Sequence, residues 1–256
     1  MNDLLVELHP PLAWVRLNRP EKRNAVTSAM WLGLIDLARQ FSISSSTRVI
    51  LLRGTGTVAF SAGADIAEME QNLGNTMRMK EMAQAVLDAQ VAWERIPLPT
   101  IAVIQGACTG GGCGLALACD LRLGSPEAFF AIPPAKLGLA YSLADTKRLY
   151  NLVGPALTKD ILFTGRRINA QEALSLGIIN EIIPSALIQK RAIALAEEIS
   201  RNAGNSVRAA KAVVNLISAG TNTETPESKR YYDESFASAE FLEGARAFIK
   251  KRSPNF

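Results

Sequence analysis

The chain is poor in the side chains that drive most hydrolytic and metal chemistry. Its 256 residues hold one histidine and three cysteines, and aromatic residues make up 6%. The histidine, His9, stands beside Pro10 and Pro11 in what reads as an exposed turn between two strands. A Ser-His-Asp or Cys-His relay would have to use it, and no G-x-S-x-G elbow accompanies it. Cys108, Cys113 and Cys119 lack C-x-x-C spacing and have no histidine cluster, which argues against zinc and any other metal. They read as small buried thiols of a reducing compartment. No basic stripe interleaved with aromatics points to nucleic acid. No apolar run reaches the length of a membrane span, and residues 1–6 show no charged leader before an apolar core. The expectation is a soluble, cytoplasmic protein with neither nucleic acid nor membrane as partner.

What is present is ordinary globular composition, 48% apolar and 20% charged, on a chain long enough for a sizeable core in one or two domains. The net charge of +4 is mild. Its short basic clusters, Lys22 with Arg23, Lys229 with Arg230, and Lys250 to Arg252, are either solvated surface or contacts for a small polyanionic ligand.

The periodicity alternates strands with helices. Strands are expected at 4–8, 12–17, 48–52, 100–104, 121–123, 129–132 and 178–183. Helices are expected at 28–41, from 65 to 69, at 76–96 (stopped by Pro97 and Pro99), at 111–119, from Pro134 through 163, and at 169–176. From Pro184 onward the pattern is all helix, at 184–202, 205–219, 225–238 and 239–251. An α/β core over residues 1–195 and a C-terminal helical module over 196–256 follow.

Residues 101–120 read IAVIQGACTGGGCGLALACD. A strand meets bare backbone and then a helix start, an arrangement that offers N–H groups and a helix dipole to something negative. It is not a dinucleotide fingerprint: from Gly110 and Gly112 the third position falls on Leu115. Nor is it a P-loop, because no Gly-Lys-Ser/Thr follows. Tight helix packing would explain the glycines equally well. A second corner, AFSAGADI at 59–66, has the same order of short extended run, small residues and helix start. Two such corners could aim two amides at one oxygen, which is the geometry of an oxyanion hole.

NRPEKRNAV (18–26), AFSAGADI (59–66), GACTGGGCGLALACDLRL (106–123), LFTGRRINAQEALSLGIIN (162–180) and EGARAFIKKRSPNF (243–256) together resemble the crotonase, or enoyl-CoA hydratase/isomerase, superfamily. The resemblance runs the length of the chain in the right order. It implies an α/β spiral of repeated ββα units, with C-terminal helices that assemble homotrimers or dimers of trimers. It implies an acyl-CoA thioester substrate and no separate cofactor, coenzyme A being part of the substrate. The carried-over oxyanion donors are the backbone N–H groups of Ala64 and Gly111, with Gly110 beside them. Adenine and pantetheine contacts fall on Lys22, Arg23, Ala25, Val26, Ala62, Asp65 and Ile66, with Tyr232 and Lys251 reaching from a neighbouring subunit's tail.

The departures bear on the reaction. A hydratase of this family holds its water between two glutamates, and those positions read Gly114 and Pro134 here. Neither side chain can transfer a proton. The aspartate of several isomerases and a dehalogenase reads Ser142. The stretch IPPAKLGLAYSLADTKRL (132–149) is similar to methylmalonyl-CoA decarboxylase around Tyr141, although that enzyme keeps a histidine at position 64 and a glutamate at 114. Tyr141 reads as a donor at the reacting end or as packing. Asp145 and Ser142 read as catalytic groups or as residues of a helix N-terminus. Three functions stay open: a lyase or decarboxylase of short acyl-CoA thioesters; a hydratase or isomerase with a relocated carboxylate at Asp145, Glu68 or Glu70; and a non-catalytic acyl-CoA-binding trimer.

Overall fold

The computed structural model describes residues 3–256. A hairpin of β1 (Leu4–His9) and β2 (Leu12–Leu17) opens a six-stranded sheet. It continues in parallel through β3 (Val49–Gly54), β5 (Thr100–Ile104), β7 (Leu121–Gly124) and the two-residue β10 (Glu181–Ile182). A four-stranded sheet orders β4 (Ala59–Ser61), β6 (Ala107–Thr109), β8 (Phe129–Ala131) and β9 (Arg167–Asn169). The consecutive pairs β3–β4, β5–β6 and β7–β8 each give one strand to each sheet. A helix follows each pair, and this is the expected ββα spiral.

Side-chain alternation divides the core. Ala13, Val15 and Leu17 face inward with Ile50, Leu52, Ala102 and Ile104. Leu12, Trp14, Val49, Leu51, Ile101 and Val103 face the other way, onto Ile188, Ala192 and Ala196 of α7 (Ile188–Ser200). The inner layer is closed by α1 (Ser28–Ser42), which buries Met30, Trp31, Leu34, Ala38 and Phe41 and is N-capped by the Thr27 hydroxyl. Next to it lies α3 (Thr76–Glu94), after the short α2 (Ile66–Gln71). The helix α4 (Gly111–Leu117) is almost wholly buried.

Three expectations change. The helix foreseen from Pro134 through 163 is broken. A 3-10 turn spans Pro134–Leu137 and ends at left-handed Gly138, and α5 (Leu143–Thr164) starts only after Ser142. Within α5, Gly154 leaves helical geometry immediately before Pro155. The strand foreseen at 178–183 shrinks, because the N–H groups of Ile178 and Ile179 bond Ala173 O at the end of α6 (Ala170–Ser175). Strands β6 and β9 are additions, each too short to show a period.

The C-terminal helices are α8 (Gly204–Ser218), α9 (Pro226–Phe236) and α10 (Ala239–Ile249). Polar ties bind them to the core. Lys211 Nζ donates to Leu98 O at 3.0 Å and to Asp120 Oδ2 at 2.8 Å. Arg48 Nη2 reaches Asn202 O at 2.6 Å. The division expected at residue 195 lies inside α7. Among the described residues no helix is long and apolar enough to cross a membrane.

Candidate functional site

The first corner is organised by Asn24, which is 1% exposed. Its amide donates to Thr55 O and Ala59 O, and its Oδ1 accepts from Arg19 N. This holds residues 18–26 against β4. Val26 N then donates to Gly63 O at 2.8 Å and Asp65 N to Val26 O at 3.1 Å, pairing Val26 with Ala64. In this pairing the N–H of Ala64, between the two bonded groups, has no protein acceptor among the described residues. Asp65 is buried and committed twice, capping α2 through Glu68 N and pairing with Arg19 at 2.6 Å. Burial pulls its carboxyl upward, but the bond from Glu68 N–H and then the Arg19 guanidinium outweigh this and leave it below the usual range.

The second corner is the start of α4. Gly110, with φ 53° and ψ −127°, delivers the chain into the helix, so the Gly111 N–H is one of the unsatisfied donors of the first turn. The two corners abut. The Thr109 hydroxyl donates to Ala62 O at 2.9 Å. A Cβ on Gly63, whose φ is +96°, would lie 3.0 Å from Thr109 O and 3.4 Å from Gly111 N. Ser61 Oγ braces the first corner between Asn24 O and Gly63 N. Around them, Ala25 and Val26 are buried, Ala62 is half-buried, and Lys22, Arg23, Ala64 and Ile66 are exposed. Tyr232 is exposed on α9, packed edge-on against Phe236, and Lys251 is exposed in the turn that follows α10.

Position 114 is occupied by its neighbours. A Cβ there would fall 2.4 Å from Gln90 Nε2 and 2.9 Å from Asp145 Oδ1. Gln90, fully buried on α3, donates through Nε2 to Gly111 O at 2.9 Å. Asp145 is buried too. Its Oδ1 meets Arg148 Nη1 at 2.8 Å and its Oδ2 accepts from Ser142 Oγ at 2.7 Å. Ser142 Oγ also accepts from Asp145 N, so Ser142 is the N-cap of α5. Burial pushes the Asp145 carboxyl up; the bond from Ser142 and the charge of Arg148 work against it. Arg148 continues to Glu94 at 2.8 Å.

Tyr141 packs on the core, and its hydroxyl is buried without a hydrogen-bond partner. Burial first, and then the nearby Asp145 carboxylate, hold the phenol well above its ordinary range, so it stays a neutral donor. Pro134 sits half-buried in the 3-10 turn. Of the other carboxylates, Glu68 accepts from Ser28 N at 2.8 Å, while Glu70 is exposed on α2. The three cysteines are free and buried, and burial pushes the Cys119 thiol up to about 12. Among the described residues no group of His, Cys, Asp and Glu could hold a metal ion.

Gln90 is the residue that sequence reading missed. Its signal is a polar side chain at helical spacing among Val86, Ala89 and Trp93, on the buried face of α3. Asp145 and Tyr141 come together beside α4, whereas Glu68 and Glu70 belong to α2. A groove at the far end of α4, between α5 and α8, faces Arg148 and Lys211, and both of these cations are already paired.

Comparison with known proteins gives a consistent picture. Residues 9–256 match the family described as enoyl-CoA hydratase/isomerase. The sequence is 32% identical to the crotonyl-CoA hydratase of Syntrophomonas wolfei, over 99% of this chain and 97% of that protein. It is 30% identical to the short-chain-enoyl-CoA hydratase of Clostridium acetobutylicum, covering 98% and 96%. Among solved structures, an enoyl-CoA hydratase/isomerase family protein from Hyphomonas neptunium superposes with a TM-score of 0.96 at 40% identity, covering 100% and 97%.

Proposed function

The chain belongs to the enoyl-CoA hydratase/isomerase family, and from that premise we propose that it binds a short acyl-CoA with the thioester carbonyl between the N–H groups of Ala64 and Gly111. The observation that carries this reading is the abutment of two corners, each with an unpaired backbone donor. Charge developing on the carbonyl oxygen as an enolate forms is what such donors stabilise. One lost donor typically costs about 2.7–4 kcal/mol of transition-state stabilisation.

The proposed reaction is of the lyase or decarboxylase type. The bond from the α-carbon to the departing carboxylate or acyl fragment breaks, and its electron pair enters the enolate. A proton then reaches the α-carbon from Tyr141 or water. The absence of a proton-transferring side chain at Gly114 and Pro134 supports this over water addition by the family's glutamate pair. The unpartnered Tyr141 hydroxyl supports a donor at the reacting end. The hydratase names belong to the relatives. A second reading, a hydratase or isomerase with a relocated carboxylate, is favoured by Asp145 Oδ1 lying 2.9 Å from the Cβ locus of position 114. The proposal includes a cytoplasmic location and a homotrimer or dimer of trimers. The exposed Val214, Ile217, Phe248 and Ile249 on α8 and α10 support assembly.

A panel of crotonyl-, 3-hydroxybutyryl-, methylmalonyl- and malonyl-CoA, followed by mass spectrometry, tests the reaction. Loss of carbon dioxide supports the first reading and interconversion of crotonyl- and 3-hydroxybutyryl-CoA the second. Binding without turnover of any member would leave an acyl-CoA-binding protein. No binding at millimolar ligand by calorimetry would remove the site.

A further inference from the structure

The side chain of Gln90 makes one hydrogen bond among the described residues, and it goes to the residue whose N–H is proposed as an oxyanion donor. From the buried face of α3, Nε2 donates to Gly111 O at 2.9 Å. The amide must face this way, because reversing it would set its oxygen against a carbonyl oxygen. Its Oε1 is left buried with no partner. A half-satisfied amide in a fully buried position is costly. Packing alone would be served better by an apolar side chain of the same size.

The bond falls where the backbone has least to hold it. Gly110, Gly111 and Gly112 have no side chains to pack, and Gly110 turns into α4 at a φ of 53°. The peptide before Gly111, which carries its N–H, is held through Gly110 O by Gly114 N at 3.1 Å. The peptide after it is held through Gly111 O by Gln90. Gly111 is thus fixed from both sides, once from within α4 and once from α3. Position 114 makes the second hold possible. A Cβ there would lie 2.4 Å from Gln90 Nε2, so any side chain would press the amide off its carbonyl. Building on the reading that the thioester carbonyl lies between Ala64 and Gly111, we infer that Gln90 is a positioning residue of the oxyanion hole. It acts through Gly111, and Gly114 leaves the room that it needs.

The test is difference infrared spectroscopy of butyryl-CoA, isotopically labelled at the thioester carbonyl and bound to the full chain. Donors aimed at the oxygen polarise the C=O bond and lower its stretch. The wild type should show a stretch below that of the free thioester. Gln90→Met, of similar volume, should lose the greater part of that lowering. It should bind coenzyme A itself as the wild type does, since coenzyme A has no thioester carbonyl. On any thioester that the protein converts, kcat should fall by up to about 100-fold while KM holds. A folded Gln90→Met protein that keeps the greater part of the lowering overturns the inference and leaves the acyl-CoA reading intact. One that loses coenzyme A binding as well overturns it too, because Gln90 then supports the site as a whole. If Gln90→Met does not fold, Gly114→Ala, whose methyl strikes the same amide, is judged by the same criteria. A wild type that binds the thioester without lowering its stretch, or does not bind it, removes the hole and the inference together.

Discussion

Gly114→Ala probes whether Gln90 and Asp145 have taken the room of a missing side chain. The added methyl would sit 2.4 Å from Gln90 Nε2 and 2.9 Å from Asp145 Oδ1. Neither neighbour retreats freely. Gln90 is fully buried and would give up its bond to Gly111 O, and Asp145 is anchored by Ser142 and Arg148. Overpacking costs about 1–3 kcal/mol, and a broken buried hydrogen bond adds about 1–3 kcal/mol. Replacing glycine by alanine inside a helix returns about 0.8–1 kcal/mol. The expected net loss is on the order of 2 kcal/mol, which for a chain of this size lowers the melting midpoint by about 4–8 °C. The same substitution in a Gln90→Ala background should cost clearly less, because the amide that it strikes at 2.4 Å is gone and only the 2.9 Å approach to Asp145 Oδ1 remains. Scanning calorimetry of the four proteins of this cycle measures the coupling, expected at about 1–3 kcal/mol. A Gly114→Ala protein as stable as the wild type, or one equally destabilised in both backgrounds, would refute the reasoning. Restoring the family's glutamate by Gly114→Glu alone should likewise fail to restore crotonyl-CoA hydration, since its first atoms have nowhere to go.

Further outcomes follow from the same geometry. The wild type should hydrate crotonyl-CoA very slowly, since two placed acid–base groups worth about 10²–10⁴-fold each are missing; a stopped assay giving turnover near the typical ~10 s⁻¹ would make Asp145 the first suspect. Tyr141→Phe removes a buried hydroxyl that has no partner, so its melting midpoint should equal or exceed the wild type's. Its rate on a malonyl-type thioester should fall while CoA affinity holds, and an unchanged rate would end Tyr141's proposed role. Glu243 is held down to about 2, first by its bonds from Arg252 and then by the Asn255 N–H. Because its pKa is depressed, its contribution is present above the ordinary value and lost as pH falls. Glu243→Gln should therefore be less stable than the wild type at neutral pH, with the difference closing between pH 4.5 and about 2; a pH-independent difference in urea midpoints would contradict this.

The long elements were legible because burial imposes a period on them. The unbroken apolar run at 100–104 became β5, and the spacing of Met30, Leu34, Ala38 and Phe41 became the buried face of α1. The three-residue strands β6 and β9 carry too few residues for any period, and their pairing is decided by the sheet around them. Helical propensity past Pro134 suggested one helix, but Gly138 in the left-handed region ended it after a single turn. At the site, the two glycine corners could be read because bare backbone leaves a mark in sequence. That Asp145 and Gln90 converge on Gly114 could not, because the contact joins three helices far apart along the chain. Ser142 and Asp145 did read as residues of a helix N-terminus, and that is where they stand.

The tie from Lys211 to Asp120 has a consequence for how the chain is made. The partners are 91 residues apart, and a ribosome adding about 5–20 residues per second produces the lysine roughly 5–18 s after the aspartate. Throughout that interval Asp120 has Thr100, through its amide and hydroxyl, and the nearby charge of Arg122, but not its ion-pair partner. The outer face of the large sheet also waits for α7. The order in which this protein emerges therefore runs ahead of the order in which it is covered, and its half-made form displays apolar strand surface beside an acid still waiting for its lysine.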